Sequence, residues 1–135
     1  EIISRYPRRN IIVYPDPASR QRKTSAGGRT DLSILQNAGF SVKAKNSHAL
    51  VRDRINAVNS RLLSSDGGRH LFVSPKCKQT IKSLERQTYK EGTSVPDKTS
   101  GLDHMADALG YLIHEMYPID GGGASGPIKI SNYFG

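Results

Sequence analysis

The feature that most constrains the fold is an alternation. Short β-rich runs, strand-sized and no longer, are separated by stretches whose apolar residues recur at helical spacing. Asn10-Ile11-Ile12-Val13-Tyr14 is β-branched and closed by Pro15, which reads as a strand buried on both faces. Phe40-Ser41-Val42-Lys43 alternates as a strand should, and Leu71-Phe72-Val73 follows an Asp66-Gly67-Gly68 turn. Between them, Glu1 to Tyr6 looks like the tail of a helix stopped by Pro7, and Asp31 is placed to cap a helix from Leu32 to Ala38 that Gly39 ends. From His48 to Leu63, Val51, Ile55, Val58 and Leu62 form one stripe, with Arg52, Arg54 and Arg61 off it, predicting an amphipathic helix with a basic exposed side. Pro75 opens a helix containing Cys77, Ile81, Leu84 and Tyr89. The last helix runs from about Leu102 to Met116, with Met105, Leu109, Leu112 and Met116 on one face and Pro118 as its stop. This order specifies a three-layer α/β architecture with strands at 11–14, 40–43 and 71–74 in one largely parallel sheet.

A chain of 135 residues is one domain's worth, long enough to bury a core without disulfides. The lone Cys77 has no internal partner, so a reducing intracellular compartment and a structural thiol are expected. No apolar run approaches the roughly 20 residues of a membrane span, and no targeting pattern stands at the N-terminus. The net charge of +8 is unevenly spread. Residues 1–30 hold seven basic and two acidic side chains, 31–102 hold twelve and six, and 103–135 hold one and four. A basic body followed by an acidic segment suggests a polyanionic partner, since Lys and Arg that neutralise phosphates release counterions. High pI serving only solubility is the plainer alternative.

Several chemistries find no support. There is no G-x-S-x-G elbow, no C-x-x-C or H-E-x-x-H, and no Walker-type G-x-x-x-x-G-K-[ST]. What remains is carboxylates. Asp16 lies just beyond the first strand, where open α/β sheets place their ligands. Asp103 and Asp107, four apart, share one face of the last helix, with His104 beside them. Asp103 has an alternative role as an N-cap, whereas Asp107 sits close to the apolar stripe, where a bare carboxylate needs a partner. Hard oxygen ligands from a strand end and a helix face suit magnesium or manganese, and two such ions about 4 Å apart can activate water and stabilise a leaving oxygen. The basic loop Pro17 to Thr30, with Arg20, Arg22, Lys23 and Arg29, supplies the best candidates for DNA-backbone contact, followed by Arg52, Arg54, Lys76 and Lys78. A solvated basic surface is the alternative for each. Asn46 and Asn59 are expected to order a loop and a helix.

Three stretches together resemble the nuclease domain of the bacteriophage large terminase subunit, the DNA-packaging motor protein. They are Val13-Tyr14-Pro15-Asp16-Pro17-Ala18 with Arg22-Lys23-Thr24, then Val51-x-Asp53-Arg54-Ile55-x-Ala57-Val58-Asn59, then Asp103-His104-Met105-Ala106-Asp107-Ala108-Leu109-Gly110-Tyr111. The resemblance implies a ribonuclease H-like three-layer sandwich with a central mixed sheet, lacking here its first strands. It covers about residues 1–118, which are taken as the domain; by composition 119–135 is a Gly-rich flexible tail, with Pro127-Ile128-Lys129-Ile130 an edge strand, a docking segment or partly disordered. It implies two-metal endonucleolytic cutting of concatemeric double-stranded viral DNA, with Mg2+ or Mn2+ as cofactor. Asp16 matches the family's second acid and Asp107 its third, with Asp103 as neighbour or substitute; His104 occupies a place where the family often has an acid. Lys23 is the basic residue expected nearest the scissile phosphate. The implied partners are double-stranded DNA, the portal, the small terminase subunit and an ATPase domain upstream in cis, with no membrane, and the implied location is the host cell cytoplasm.

The family's first acid belongs on a strand that would precede Glu1. Without it, weak metal binding is expected of this chain and the cutting is assigned to the parent protein. Two other readings compete: another ribonuclease H-like nuclease, such as a junction resolvase or transposase, and a non-catalytic DNA-clamp or portal-docking module.

Overall fold

The computed structural model describes residues 1–7, 9–20, 29–43, 49–119 and 128–130. They fall into two compact units, residues 1–48 and 49–135.

In the first unit, a single helical turn, α1 (Ile2–Arg5), ends before Pro7 and is tied by an Arg5–Glu1 pair. Strand β1 (Ile12–Val13) runs parallel to β2 (Ser41–Val42), with the Ser41 amide donating to Ile11 O at 3.1 Å and the Lys43 amide to Val13 O at 2.9 Å. A 3-10 turn, Pro17–Arg20, follows β1, and α2 (Asp31–Asn37) precedes β2. The cap of α2 is Thr30, not Asp31. The Thr30 hydroxyl oxygen accepts from the Ser33 amide at 3.0 Å while Ser33 Oγ accepts from the Thr30 amide at 3.2 Å, so two otherwise orphaned donors are satisfied at once. Asp31 becomes the first helical residue, where its charge still favours the helix N-terminus. Gly39, at φ 89°, takes the left-handed conformation that ends the helix. The expectation that the first strand is buried on both faces does not hold: Ile12 is 41% exposed. A strand of two residues with one neighbour has too little sheet around it to be covered twice.

The second unit holds the core. Ala57, Val58, Leu71, Leu109 and Ile113 are buried together, with Leu62 and Leu84 packed against them. They come from α3 (Val51–Leu62), β3 (Leu71–Val73), α4 (Lys78–Arg86) and α5 (Asp103–Met116). Ile113, wholly buried, contributes about 1.5–3 kcal/mol by leaving water. β3 pairs in parallel with β4 (Ile128–Ile130), Leu71 opposite Ile128 and Val73 opposite Ile130. Residues 128–130 are therefore a strand, one of the two roles their sequence left open. The expected single sheet of three runs is also corrected: among the described residues, 12–13 and 41–42 form one ladder, whereas 71–73 takes 128–130 as its partner.

Two helices bury a face rotated from the predicted stripe: Val58, Leu62 and Leu109 join the core as expected, but other stripe positions do not. On α3 the buried positions are Arg54, Ala57 and Val58, and Val51 is 39% exposed. On α5 they are Asp103, Leu109, Gly110 and Ile113, while Met105 and Met116 are 41% and 42% exposed. Small residues explain the shift. Gly110 meets α3 at Arg54, where an added Cβ would lie 3.2 Å from Arg54 Cβ, so any side chain here would push the two helices apart by a few tenths of an ångström and the close seam is set there. Cys77 is buried and free just before α4, as a structural thiol should be, and Tyr89 lies beyond that helix. Among the described residues no helix is long and apolar enough to cross a membrane.

Candidate functional site

α5 begins at Asp103, which is its first helical residue and not its cap; Leu102 is the cap and makes no side-chain capping bond. One turn later Asp107 stands on the same face, so two carboxylates would repel each other unless cations lay nearby. Two do. Arg54 Nη2 of α3 donates to Asp107 Oδ1 at 3.0 Å, and its guanidinium lies 4.0 Å from the centre of the Tyr111 ring. The Arg54 side chain is 7% exposed, so a buried charge is held by an acid, an aromatic face and the flank of Gly110 together. Lys98 Nζ approaches the other side of the pair, 3.7 Å from Asp103 Oδ2 and 3.9 Å from Asp107 Oδ2.

Lys98 comes from the segment joining α4 to α5, which is pinned at several points. The Lys90 amide donates to Val95 O and the Asp97 amide to Thr88 O, each at 2.8 Å, closing a small antiparallel bridge between Tyr89 and Pro96. Gln87 Nε2 donates to Asp97 O at 2.7 Å, and the Ser83 hydroxyl donates to Leu102 O at the start of α5. Asp97 accepts from the Thr99 amide at 3.0 Å and from the Thr99 hydroxyl at 2.9 Å, and these bonds hold its carboxyl below the ordinary value. A cavity of about 260 Å³ lies between α3, α4, α5 and this segment, with Arg54, Gln87, Asp103 and Asp107 among its lining residues.

Whether this donor set suits a divalent cation can be judged from one atom. Asp103 Oδ1 is buried and has no hydrogen-bond partner, in a carboxylate whose side chain is 7% exposed. An anionic oxygen left unpaired in the interior costs free energy that a hard cation would recover, and Asp107, 31% exposed and already bonded to Arg54, adds a second carboxylate one helical turn on. The pair therefore fits magnesium or manganese by chemistry. Among the described residues, no group of three or more His, Cys, Asp or Glu is placed to hold a metal by itself.

The remaining predicted residues are placed as follows. Asp16 is exposed in the first unit, its Oδ1 accepting from the Ala18 amide at 2.9 Å and so opening the 3-10 turn. Arg20 ends that turn and Arg29 precedes α2, both exposed. Arg22, Lys23, Asn46 and the Gly-rich stretch 121–126 lie outside the described residues. Arg52 is exposed on α3, 3.7 Å from Asp53; Lys76 and Lys78 are exposed on either side of Cys77; His104 is exposed on α5. Asn59 lines the cavity. Arg54 is the correction: the expected solvent-facing DNA contact is buried and committed to Asp107 and Tyr111. Its signal was present in the sequence, since Arg54, Ala57, Val58 and Arg61 also share one helical face, and Arg61 likewise lies over an aromatic ring, 4.7 Å from the centre of Tyr117. Lys98 carried no comparable signal, because a lysine in a polar loop is ordinarily solvated.

A family model described as a terminase RNaseH-like domain matches residues 5–116. The chain belongs to this family. No curated protein and no solved structure gives a significant match. Membership establishes the ribonuclease H-like α/β fold and, in general terms, a terminase nuclease role with DNA as substrate. In this terminase domain the match ends at the last residue of α5, so Asp16, Arg54, Lys98, Asp103 and Asp107 all fall within it and β4 lies beyond.

Proposed function

We propose that this terminase domain is the metal-dependent endonuclease that cuts concatemeric double-stranded viral DNA during genome packaging, acting in the host cell cytoplasm. The observation that carries this reading is the carboxylate pair on α5, one member with a buried, unpartnered oxygen, in a chain matched to the family over residues 5–116. Asp103 and Asp107 are the acids proposed to hold metal on α5, with His104 as a further candidate donor on the same helix, and Asp16 is proposed as a separate catalytic acid. Bound magnesium or manganese supplies the chemistry of activating water and stabilising the departing 3′ oxygen of a phosphodiester. Arg54 orients Asp107 by its hydrogen bond and stays in place because Tyr111 and Gly110 confine it. Arg20, Arg22, Lys23, Arg29, Arg52, Lys76 and Lys78 would neutralise DNA phosphates without reading sequence. In the parent protein, an ATPase domain in cis, the portal and the small terminase subunit complete the machine.

The test is nicking and linearisation of supercoiled plasmid by the parent protein in Mg2+ or Mn2+. Asp16→Asn and Asp107→Asn should each abolish cutting while leaving ATP hydrolysis intact; Asn at 107 still accepts from Arg54, so the fold is spared. Undiminished cutting by both variants would sink the assignment. A second reading, a non-catalytic DNA-clamp or portal-docking module, is favoured by one observation: Arg54 and Lys98 already balance the two acids. A clamp would retain DNA binding in EDTA and show no heat of Mn2+ binding.

A further inference from the structure

The two cations beside Asp103 and Asp107 differ in every property that governs exchange. Arg54 is 7% exposed, hydrogen-bonded at 3.0 Å, stacked on Tyr111 and closed in by Gly110. Moving it would open a hole in the seam between α3 and α5. Lys98 is 62% exposed and stands 3.7 and 3.9 Å from the acids, too far for direct hydrogen bonds, so it acts as a hydrated point charge on a flexible stem. The oxygens each cation uses also differ. Arg54 takes Asp107 Oδ1 alone, whereas Lys98 faces Oδ2 of both carboxylates. A divalent ion held by both acids on the side that Lys98 faces would compete with it for their negative charge, and would also supply a partner for the unpaired Asp103 Oδ1. It would leave the Arg54 bond untouched.

We propose that Lys98 is a built-in, exchangeable counter-cation that occupies the place of a divalent metal between Asp103 and Asp107 and is displaced when the metal binds, while Arg54 remains as the positioning residue of Asp107. The proposal rests on the metal reading of that pair. Its consequence is that the linker between α4 and α5 reports on metal occupancy: with the metal absent, Lys98 ties the end of this segment to α5, and with it present that tie is released. The lysine keeps the acids from repelling each other before metal arrives, at the cost of weaker metal binding.

Mn2+ titration of the whole chain by calorimetry, at neutral pH and low salt, tests this. Lys98→Met should tighten the Mn2+ Kd by roughly three- to fivefold, the range expected for one exposed ion pair. Lys98→Arg, which keeps the charge, should restore the wild-type Kd. Lys90→Met, on the same segment but beside Asp97, should leave it unchanged. Thermal unfolding of each variant separates a change in folding from a change in affinity, and Mn2+ broadening of the His104 and Tyr111 proton resonances locates the ion without mutation. Equal Kd values for wild type and Lys98→Met, with broadening at these two residues, would overturn the exchange proposal and leave the metal reading standing. Equal tightening by Lys90→Met would overturn it too, since bulk charge would then suffice. Binding that persists unchanged in Asp103→Asn and in Asp107→Asn, or no binding by any variant, would remove the metal reading and this proposal together.

Discussion

The two units of the chain are stabilised in different ways. Residues 49–135 surround a buried apolar cluster, and every described residue that is fully buried, polar or apolar, belongs to this unit. The described residues of 1–48 include none and rely on local devices: a capping box at Thr30, an Asp16 turn, and two parallel strands of two residues each. The acids differ accordingly. Asp103 and Asp107 stand on a helix of four turns that also carries the core residues Leu109 and Ile113, whereas Asp16 hangs on a short turn after a short strand. Precise placement of side chains comes from packing more than from turn geometry, so Asp103 and Asp107 are held more firmly within their unit than Asp16 is within its own.

Substitutions can break this contrast. The largest expected effect is Ile113→Ala, at about 2–5 kcal/mol by chemical denaturation, because the residue is wholly buried. Leu35→Ala in the first unit should cost no more than about 1.5 kcal/mol, and an equal loss at both positions would end the comparison. Next is Arg54→Ala, which strips Asp107 of its partner and empties the seam at Gly110, for about 3 kcal/mol. Arg52→Ala, two positions away and exposed, should fall within about 0.5 kcal/mol. Thr30→Ala should cost about 1 kcal/mol and show itself as faster amide exchange in α2, with the second unit unmoved. The smallest effect is a pH dependence. The Asp97 carboxyl is held below its ordinary value of 3.8 by the Thr99 amide and hydroxyl. Its contribution is thus fully present above that value and disappears as pH falls through the lower, folded value. NMR titration of Asp97 should show this, and Asp97→Asn should remove it.

Much of this was legible in the chain, and the failures have physical causes. Helix stops followed from Pro7, Gly39 and Pro118, since backbone geometry at proline and glycine is local, whereas Pro75 lies in a turn and α4 starts three residues later, at Lys78. The carboxylate pair followed from a spacing of one helical turn. What the pattern caught only in part was the face each helix buries: Val58, Leu62 and Leu109 were right, and the ends of both stripes were not. Large apolar residues at helical spacing pointed to Val51 and Met105, but the seam between α3 and α5 is set by Gly110 and Ala57, and close approach of backbones is a property of two helices at once. For the same reason Arg54 read as solvated: its partner acid lies 53 positions away. The pairing of β3 with β4 was equally hidden, because a strand alone does not name its neighbour.

The stacking of Arg54 on Tyr111 and of Arg61 on Tyr117 has an optical consequence. The chain has six tyrosines and no tryptophan, so its near-ultraviolet spectrum belongs to tyrosine. Two of those six chromophores lie beneath guanidinium groups along one helical seam, the first directly behind Asp107. The protein thus carries its own label, and circular dichroism in the tyrosine band follows the packing of α3 on α5, and any rearrangement at the acids, without a dye or a mutation.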